Sequence, residues 1–177
     1  MAPIGTDDAR RTSWLVERAQ KGDQAAFGDL YRDCHRAVAR IVGFYLPGPA
    51  GEDAVSETFL RAWVGLPRYR ETGAPFSAWL AGIARNVVSE VRRSAARVQP
   101  RAELPDRPVD LEEGWSDSLA LAEAVARLPH KQRVVIELKF LLGWTNEEVG
   151  RALGKKAGAV NTLQWRALER LKRMMET

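Results

Sequence analysis

Apolar residues recur three or four positions apart through most of the first hundred positions. Between positions 27 and 45 this spacing places them on one face of an α-helix. They are Phe27, Leu30, Tyr31, Cys34, Val38, Ile41, Val42 and Tyr45. The same period returns further along at Phe76, Trp79, Leu80, Ile83, Val87, Val88 and Val91. Because no alternating strand pattern of useful length occurs, the sequence predicts an all-α fold.

Proline and glycine mark where these helices should end. The first should stop before Pro47, with the Gly-Pro-Ala-Gly stretch at positions 48–51 as the break. A shorter helix is predicted from about Glu52 to Val64, and a third begins near Pro75. The short helix has an apolar stripe of Phe59, Leu60 and Trp63. With an opening helix near positions 13–20, these segments predict a compact bundle.

The periodic pattern is lost from about Ser94 to Ser118, where three prolines and six acidic residues cluster. We interpret this stretch as an interdomain linker. The predicted bounds are 10–97 for a first domain, 98–117 for the linker and 118–177 for a second domain. Helical spacing resumes in the second domain at Leu121, Ala122, Val125 and Leu128, and, after Pro129, at Val134, Val135, Leu138 and Leu142.

The second domain carries the signals of a helix-turn-helix. Thr145 and Glu148 are spaced as a capping box, so a short helix should begin at Thr145. Gly154 suits a left-handed turn between two helices. A longer helix is predicted for 157–175. Its inward positions are Val160, Ala167, Leu168, Leu171 and Met174.

Basic residues concentrate on the outward face of that last helix and just before it. The whole chain has 27 Lys and Arg against 23 Asp and Glu, an excess too small to indicate nucleic acid without this clustering. The clustered cations are Lys155, Lys156, Arg166, Arg170, Lys172 and Arg173. The alternative is a solvated surface helix with a basic tail, which does not account for the capped short helix and the glycine turn.

Other function classes lack support in the sequence. The chain has no apolar run of membrane-spanning length and no signal peptide at its N-terminus, so we expect a cytoplasmic protein. Cys34 is expected in the core, and with only His35 and His130 as histidines it makes no zinc site. Without a phosphate-binding loop or a nucleophile motif, we expect no enzyme, no cofactor and no metal.

Several ordered segments resemble extracytoplasmic-function sigma factors of the sigma-70 class. Positions 15–27, 52–63 and 76–86 are similar to the first domain of that family. Positions 128–133 and the helix-turn-helix are similar to its last domain. The resemblance implies a subunit that binds core RNA polymerase, recognises −35 and −10 promoter elements and promotes strand opening. The alternative is a helix-turn-helix regulator that binds DNA without delivering polymerase.

The resemblance also assigns site residues. It implies that Asp53, Glu57 and Arg61 bind polymerase. Taken alone, the two carboxylates are equally consistent with compensation of the helix dipole and with solvation at the surface. The −10 element falls on Arg85, Asn86, Ser89, Arg92 and Arg93, all expected to face away from the core. The −35 element falls on Lys156, Asn161, Thr162, Trp165, Arg166 and Arg170.

Within the predicted −10 site, Asn86 matches a position that holds a flipped base, and the loop at 70–74 should close the pocket. The alternative to a base-binding role is that Asn86 caps a local turn or is simply solvated. Trp79 falls on the apolar period and is expected in the core. Leu163 and Gln164 depart from the family pattern, and Ser56 stands where the family often has glutamine.

The resemblance extends to the linker and to a further partner. The acidic stretch at 110–117 resembles a segment that threads toward the polymerase cleft, where it would mimic nucleic acid; a plain tether is the alternative. The family also implies an anti-sigma partner.

Overall fold

A computed structural model of the chain describes residues 6–98 and 113–176. Every regular element among these residues is helical, which confirms the all-α prediction. In chain order they are α1 (Thr6–Gln20), α2 (Gln24–Tyr45), α3 (Pro49–Gly65), a 3-10 turn (Leu66–Arg68), α4 (Phe76–Val98), α5 (Glu113–Ala126), α6 (His130–Ile136), a π-helical turn (Glu137–Leu141), α7 (Asn146–Leu153) and α8 (Ala157–Met175).

Helix α2 is the centre of the first bundle and contacts α1, α3 and α4. It begins where Asp23 accepts a 3.0 Å hydrogen bond from the Ala26 amide and a 2.7 Å bond from Arg18 Nε. These two donors lower the pKa of Asp23. The helix ends at Tyr45, before Pro47 as predicted. Its apolar face closes over the core with Cys34 buried, so the expected core position of that cysteine is confirmed.

Helix α3 begins earlier than predicted. Pro49 and the next two residues form its first turn. Of the stretch at 48–51, only Gly48 therefore lies outside the helix. Proline is tolerated at the first helical position because its missing N–H would have no helical partner. Gly48, at φ 77°, supplies the sharp entry that other residues adopt at a cost. Leu60, predicted in the apolar stripe, instead faces outward.

Helix α4 continues to Val98, past Ser94 where the periodic pattern is lost. Helical residues therefore extend through the start of the predicted linker, and α5 begins inside it at Glu113. Residues 99–112 of that linker lie outside the described residues, as do the side chains at 113–117. The predicted roles of the acidic stretch at 110–117 therefore fall outside the part that the structure describes.

The second domain packs α8 against α5, α6 and α7. Its core includes Val125, Val135, Leu138 and Val149, each at most 2% exposed. Leu121 and Leu168, predicted to face inward, are exposed. Their helices bury a narrower stripe than the apolar period suggests.

The two domains touch each other. Helix α2 of the first lies against α5 and against the π-helical turn of the second. The described residues contain no helix long and apolar enough to cross a membrane.

Candidate nucleic-acid and protein interfaces

The outer face of α3 combines carboxylates with exposed apolar side chains. Asp53 is exposed and Glu57 half-buried. Leu60 and Val64, one turn apart on this face, are 59% and 71% exposed. Helical geometry places Asp53, Glu57, Leu60 and Val64 within one narrow sector, so they form one continuous surface. We call these four residues the α3 surface. Apolar side chains this exposed are suited to a protein partner.

Arg61, the third predicted polymerase residue, is held within the first domain. Its guanidinium pairs with Glu57 at 2.6 Å and with Glu90 of α4 at 2.8 Å. The hydrogen bond to Arg61 lowers the pKa of Glu90, and the bonds to Glu90 and Glu57 raise that of Arg61. Arg61 therefore ties α3 to α4 as well as bordering the α3 surface.

Helix α4 presents most of the predicted −10 residues to solvent. Asn86, Ser89 and Arg93 are exposed and Arg92 is half-buried. Arg85 is different, since its side chain is only 16% exposed and its Nη1 donates a 2.9 Å hydrogen bond to Glu137 Oε2. Arg85 was expected on the outer face of α4, away from the first-domain core, but it does not face solvent. The second domain folds back onto it.

Glu137 is a buried charged residue that the sequence did not single out. It lies on the π-helical turn and is 0% exposed. Besides Arg85, it accepts a hydrogen bond from the Tyr45 hydroxyl of α2. Burial, and then the adjacent Glu137 carboxylate, raise the pKa of Tyr45, so the phenol keeps the proton that it donates. The three side chains join the two domains.

The loop before α4 is anchored by α1. Gln20 Nε2 donates to the carbonyl oxygens of Leu66 at 3.1 Å and Tyr69 at 2.9 Å. Ser13 Oγ donates a 2.7 Å bond to Glu71 within the predicted pocket loop. No local spacing predicts these contacts, because the partners of Gln20 and Ser13 lie 46 to 58 positions away.

Aromatic packing fixes the other side of that loop. The Tyr69 ring centroid lies 5.4 Å from that of Phe76 and 4.9 Å from that of Trp79. Trp79 is half-buried and packs against the core, in agreement with its predicted role. The loop at 70–74 thus leaves and returns at fixed points, while its tip is exposed.

The helix-turn-helix is built as its spacing predicts. Thr145 Oγ1 accepts a 3.2 Å hydrogen bond from the Glu148 amide, and Glu148 Oε2 accepts a 2.7 Å bond from the Thr145 amide. Gly154 is left-handed at φ 62°. Gly150 matters as well, because a Cβ there would lie 2.5 Å from the Lys155 carbonyl oxygen. Close contact between α7 and the turn therefore requires a glycine at this position.

Helix α8 exposes its predicted −35 residues on one side. Asn161, Thr162, Arg166 and Arg170 are exposed, and Trp165 is 65% exposed. Asn161 accepts a hydrogen bond from Asn146, which fixes its amide against α7. The departures Leu163 and Gln164 are half-buried and point away from this surface.

The N-terminus of α8 is not capped by a side chain. Lys156 is the N-cap residue, and among the described residues its side chain makes no capping hydrogen bond. The first amides of a helix need acceptors, and a phosphate oxygen satisfies them well. The first amides of α8, beside the predicted −35 residue Lys156, are therefore suited to an anionic acceptor.

Comparison with known proteins gives matches for both domains. The family model described as sigma-70 region 2 matches residues 30–98, and that of sigma-70 region 4 matches residues 118–171. The chain is 36% identical to the extracytoplasmic-function RNA polymerase sigma factor BldN of Streptomyces coelicolor, over 98% of this chain and 69% of BldN. It is 37% identical to the sigma factor ShbA of Streptomyces griseus, over 92% of this chain and 94% of ShbA.

Solved structures give the same result at the level of the fold. The structure of CnrH in complex with the cytosolic domain of CnrY matches with a TM-score of 0.64 and 27% identity, covering 94% of this chain and 97% of CnrH. The sigma factor RpoE of Bartonella quintana, in complex with the anti-sigma factor NepR, matches with a TM-score of 0.53 and 22% identity, over 85% and 97% of the two chains.

Proposed function

The chain belongs to the extracytoplasmic-function sigma factors of the sigma-70 class, and from that premise we propose how it directs transcription initiation. It binds core RNA polymerase, recognises the −35 and −10 promoter elements and promotes strand opening. The first domain, 10–97, docks on polymerase and reads the −10 element. The second, 118–177, reads the −35 element. The protein contributes no catalytic residue, metal or cofactor and acts in the cytoplasm.

One observation carries this proposal: the two candidate DNA faces stand on different domains of a single chain. The face on α4 offers amide, hydroxyl and guanidinium groups, while that on α8 offers a helix with basic and amide side chains. A chain with two separate DNA faces is suited to a bipartite promoter. A simple regulator needs only the helix-turn-helix.

At the −10 element, the non-template strand would lie along α4. Arg92 and Arg93 suit its phosphates. The Asn86 amide has both a donor and an acceptor, so it can read the edge of a base that has left the stack. The loop at 70–74 closes over that base, and it is held by Gln20 and by the packing of Tyr69 against Phe76 and Trp79.

At the −35 element, the N-terminal half of α8 would enter the major groove. Helix-turn-helix proteins place that part of their second helix against base edges. Asn161, Thr162 and Trp165 occupy it, with Arg166 and Arg170 further along for phosphates.

The α3 surface distinguishes this proposal from the regulator alternative. A regulator that only binds DNA does not need Leu60 and Val64 exposed beside Asp53 and Glu57. Mixed apolar and acidic character suits a protein partner whose own surface is basic and partly apolar. We assign that partner as core polymerase. An anti-sigma protein is the second protein partner that the family membership implies.

Run-off transcription with purified chain and core polymerase tests the proposal. Promoters selected from genomic fragments should yield discrete transcripts with this holoenzyme and none with core alone. Leu60→Ser should weaken core binding about tenfold, the loss expected when a buried interface leucine becomes polar. Leu119→Ser is the matched control, because Leu119 is also exposed but lies on α5.

Two results would contradict the proposal. If the chain binds duplex DNA yet never forms a complex with core polymerase, the regulator alternative is correct. If Leu119→Ser weakens core binding as much as Leu60→Ser, the α3 surface is not the docking site.

A further inference from the structure

The contact between the two domains is made by a charge that is completely buried. Glu137 has no exposed surface, although it is surrounded by the apolar Ile136 and Leu138 in sequence. Both of its strongest contacts cross the domain boundary, to the Tyr45 hydroxyl and to Arg85 Nη1 at 2.9 Å. Arg133, one turn earlier, adds a second cation 4.0 Å away. While the domains touch, the carboxylate has no access to water and depends mainly on these partners across the boundary.

A buried ion pair of this kind allows the two domains to separate at a low cost in free energy. Burying an ion pair removes both charges from water, and this cost offsets most of their attraction. When the domains part, Glu137 and Arg85 regain hydration, so separation leaves no charge stranded in an apolar site. A purely apolar interface of the same area lacks this compensation. The closed form should therefore be favoured over the open form by only about tenfold, which leaves about a tenth of the free molecules open.

The closed form covers part of the candidate −10 surface. A cleft of about 330 Å³ lies between the domains, and Arg85, Ser89, Arg92 and Arg93 of α4 line it together with Glu137. In this cleft the Glu137 carboxylate occupies the place beside Arg85 that a phosphate would take on bound DNA. Both are anionic oxygen acceptors for the same guanidinium.

We infer that Glu137 closes an autoinhibitory contact, in which the second domain of the free protein covers Arg85 and competes with the promoter strand for it. The inference rests on the proposed −10 role of Arg85. The occupant of this surface is the chain's own π-helical turn. Promoter binding requires that the two domains separate at Tyr45 and Arg85.

Two variants open the contact without touching the candidate DNA residues. Glu137→Gln keeps the shape and removes the charge that holds Arg85. Tyr45→Phe removes the other hydrogen bond from the first-domain side, so it tests the same contact if Glu137→Gln does not fold. Asp33→Asn is the matched control, because it makes the same change in net charge at an ion pair with Arg11, within the first domain.

The probe is a fluorescein-labelled non-template strand from the −10 region of a promoter that supports run-off. Small-angle scattering of the free full-length chain reports domain separation. Glu137→Gln should raise the radius of gyration and tighten strand binding about tenfold, since apparent affinity scales with the open fraction. Tyr45→Phe should act in the same direction by a smaller factor, and Asp33→Asn should match the wild type. Bound to core, all four proteins should initiate equally.

The inference is overturned if Glu137→Gln and Tyr45→Phe scatter and bind the strand as the wild type does. It is also overturned if they open the molecule without tightening strand binding, since the contact then does not compete with DNA. Failure of the proposed function is a separate result, in which the wild-type chain with core polymerase initiates at no promoter. In that case unchanged scattering still overturns the interdomain contact.

Discussion

Three glycines around the helix-turn-helix offer a graded test of how that motif is held. Gly150 lies on α7, Gly154 in the turn and Gly158 in the first turn of α8. Alanine at each adds the same methyl group to a different environment. The structure predicts three different outcomes.

At Gly150 the added Cβ meets backbone. It would lie 2.5 Å from the Lys155 carbonyl oxygen, and the turn would have to retreat by about 0.9 Å to restore ordinary contact at 3.4 Å. That retreat is opposed because the Lys155 amide donates a 2.8 Å hydrogen bond to the Gly150 carbonyl. Overpacking of this kind costs about 1–3 kcal/mol, less about 0.5–1 kcal/mol gained from alanine's helix preference. The difference spans about 0–2.5 kcal/mol, and we expect a net loss near its midpoint, about 1 kcal/mol.

Gly154 and Gly158 separate the backbone effect from the steric one. Apart from its chain neighbours and the backbone of its own helix, a Cβ at either position meets no heavy atom of the described residues within 4 Å. Gly154 is left-handed at φ 62°, so Gly154→Ala should lose about 1 kcal/mol through backbone strain alone. Gly158→Ala meets neither obstacle and should gain about 0.5 kcal/mol from helix preference.

Urea unfolding followed by circular dichroism measures the three free energies of unfolding. Binding to a −35 duplex, measured under conditions where every variant is folded, reports the angle between α7 and α8. Gly150→Ala should weaken −35 binding beyond its effect on folding, because the turn itself moves, whereas Gly154→Ala should bind nearly as well as the wild type. If Gly150→Ala proves as stable as Gly158→Ala, the close approach of Gly150 to Lys155 does not hold the motif.

Two further predictions concern the first domain. The lowered pKa of Asp23 means that its ionised form stabilises the folded state at neutral pH. That contribution is present above the unfolded-state pKa of 3.8 and is lost as pH falls through the lower folded-state value. The gap in urea midpoint between wild type and Asp23→Ala should therefore narrow below pH 3.8, and a pH-independent gap would contradict it. Gln20→Leu removes two hydrogen bonds to the loop before α4. It should reduce the permanganate reactivity of the −10 region, which reports strand opening, and leave the affinity for a −35 duplex unchanged. Gln24→Leu is the control, because it makes the same substitution at an exposed position.

The parts of the fold that the sequence predicted well depend on neighbours in the chain. The capping box of Thr145 joins groups three residues apart, and Pro47 and Gly154 act on their own backbone. The early start of α3 was missed because a Gly-Pro pair marks a break and a proline-initiated helix equally well.

Misplaced side chains have a different cause. Leu60, Leu121 and Leu168 lie on the apolar period of their helices but at its margin, and periodicity does not measure how wide a stripe the partner helices cover. Glu137 was missed because its partners lie 52 and 92 positions away, where no local pattern reaches. The same distance concealed the burial of Arg85.

These long-range contacts bear on how recognition residues can be exchanged between related chains. Asn86 and Arg92 lie on α4, yet the loop beside them is anchored by Gln20 of α1, and Arg85 is covered by Glu137 of the second domain. Grafting α4 alone onto a related protein transfers the side chains that would read the strand. It does not transfer the anchor or the competing carboxylate, so the affinity of the graft depends on the host's residues at those two places. In the free protein, a graft that includes Gln20 and Glu137 should reproduce the parent's affinity for the −10 strand more closely than one limited to α4.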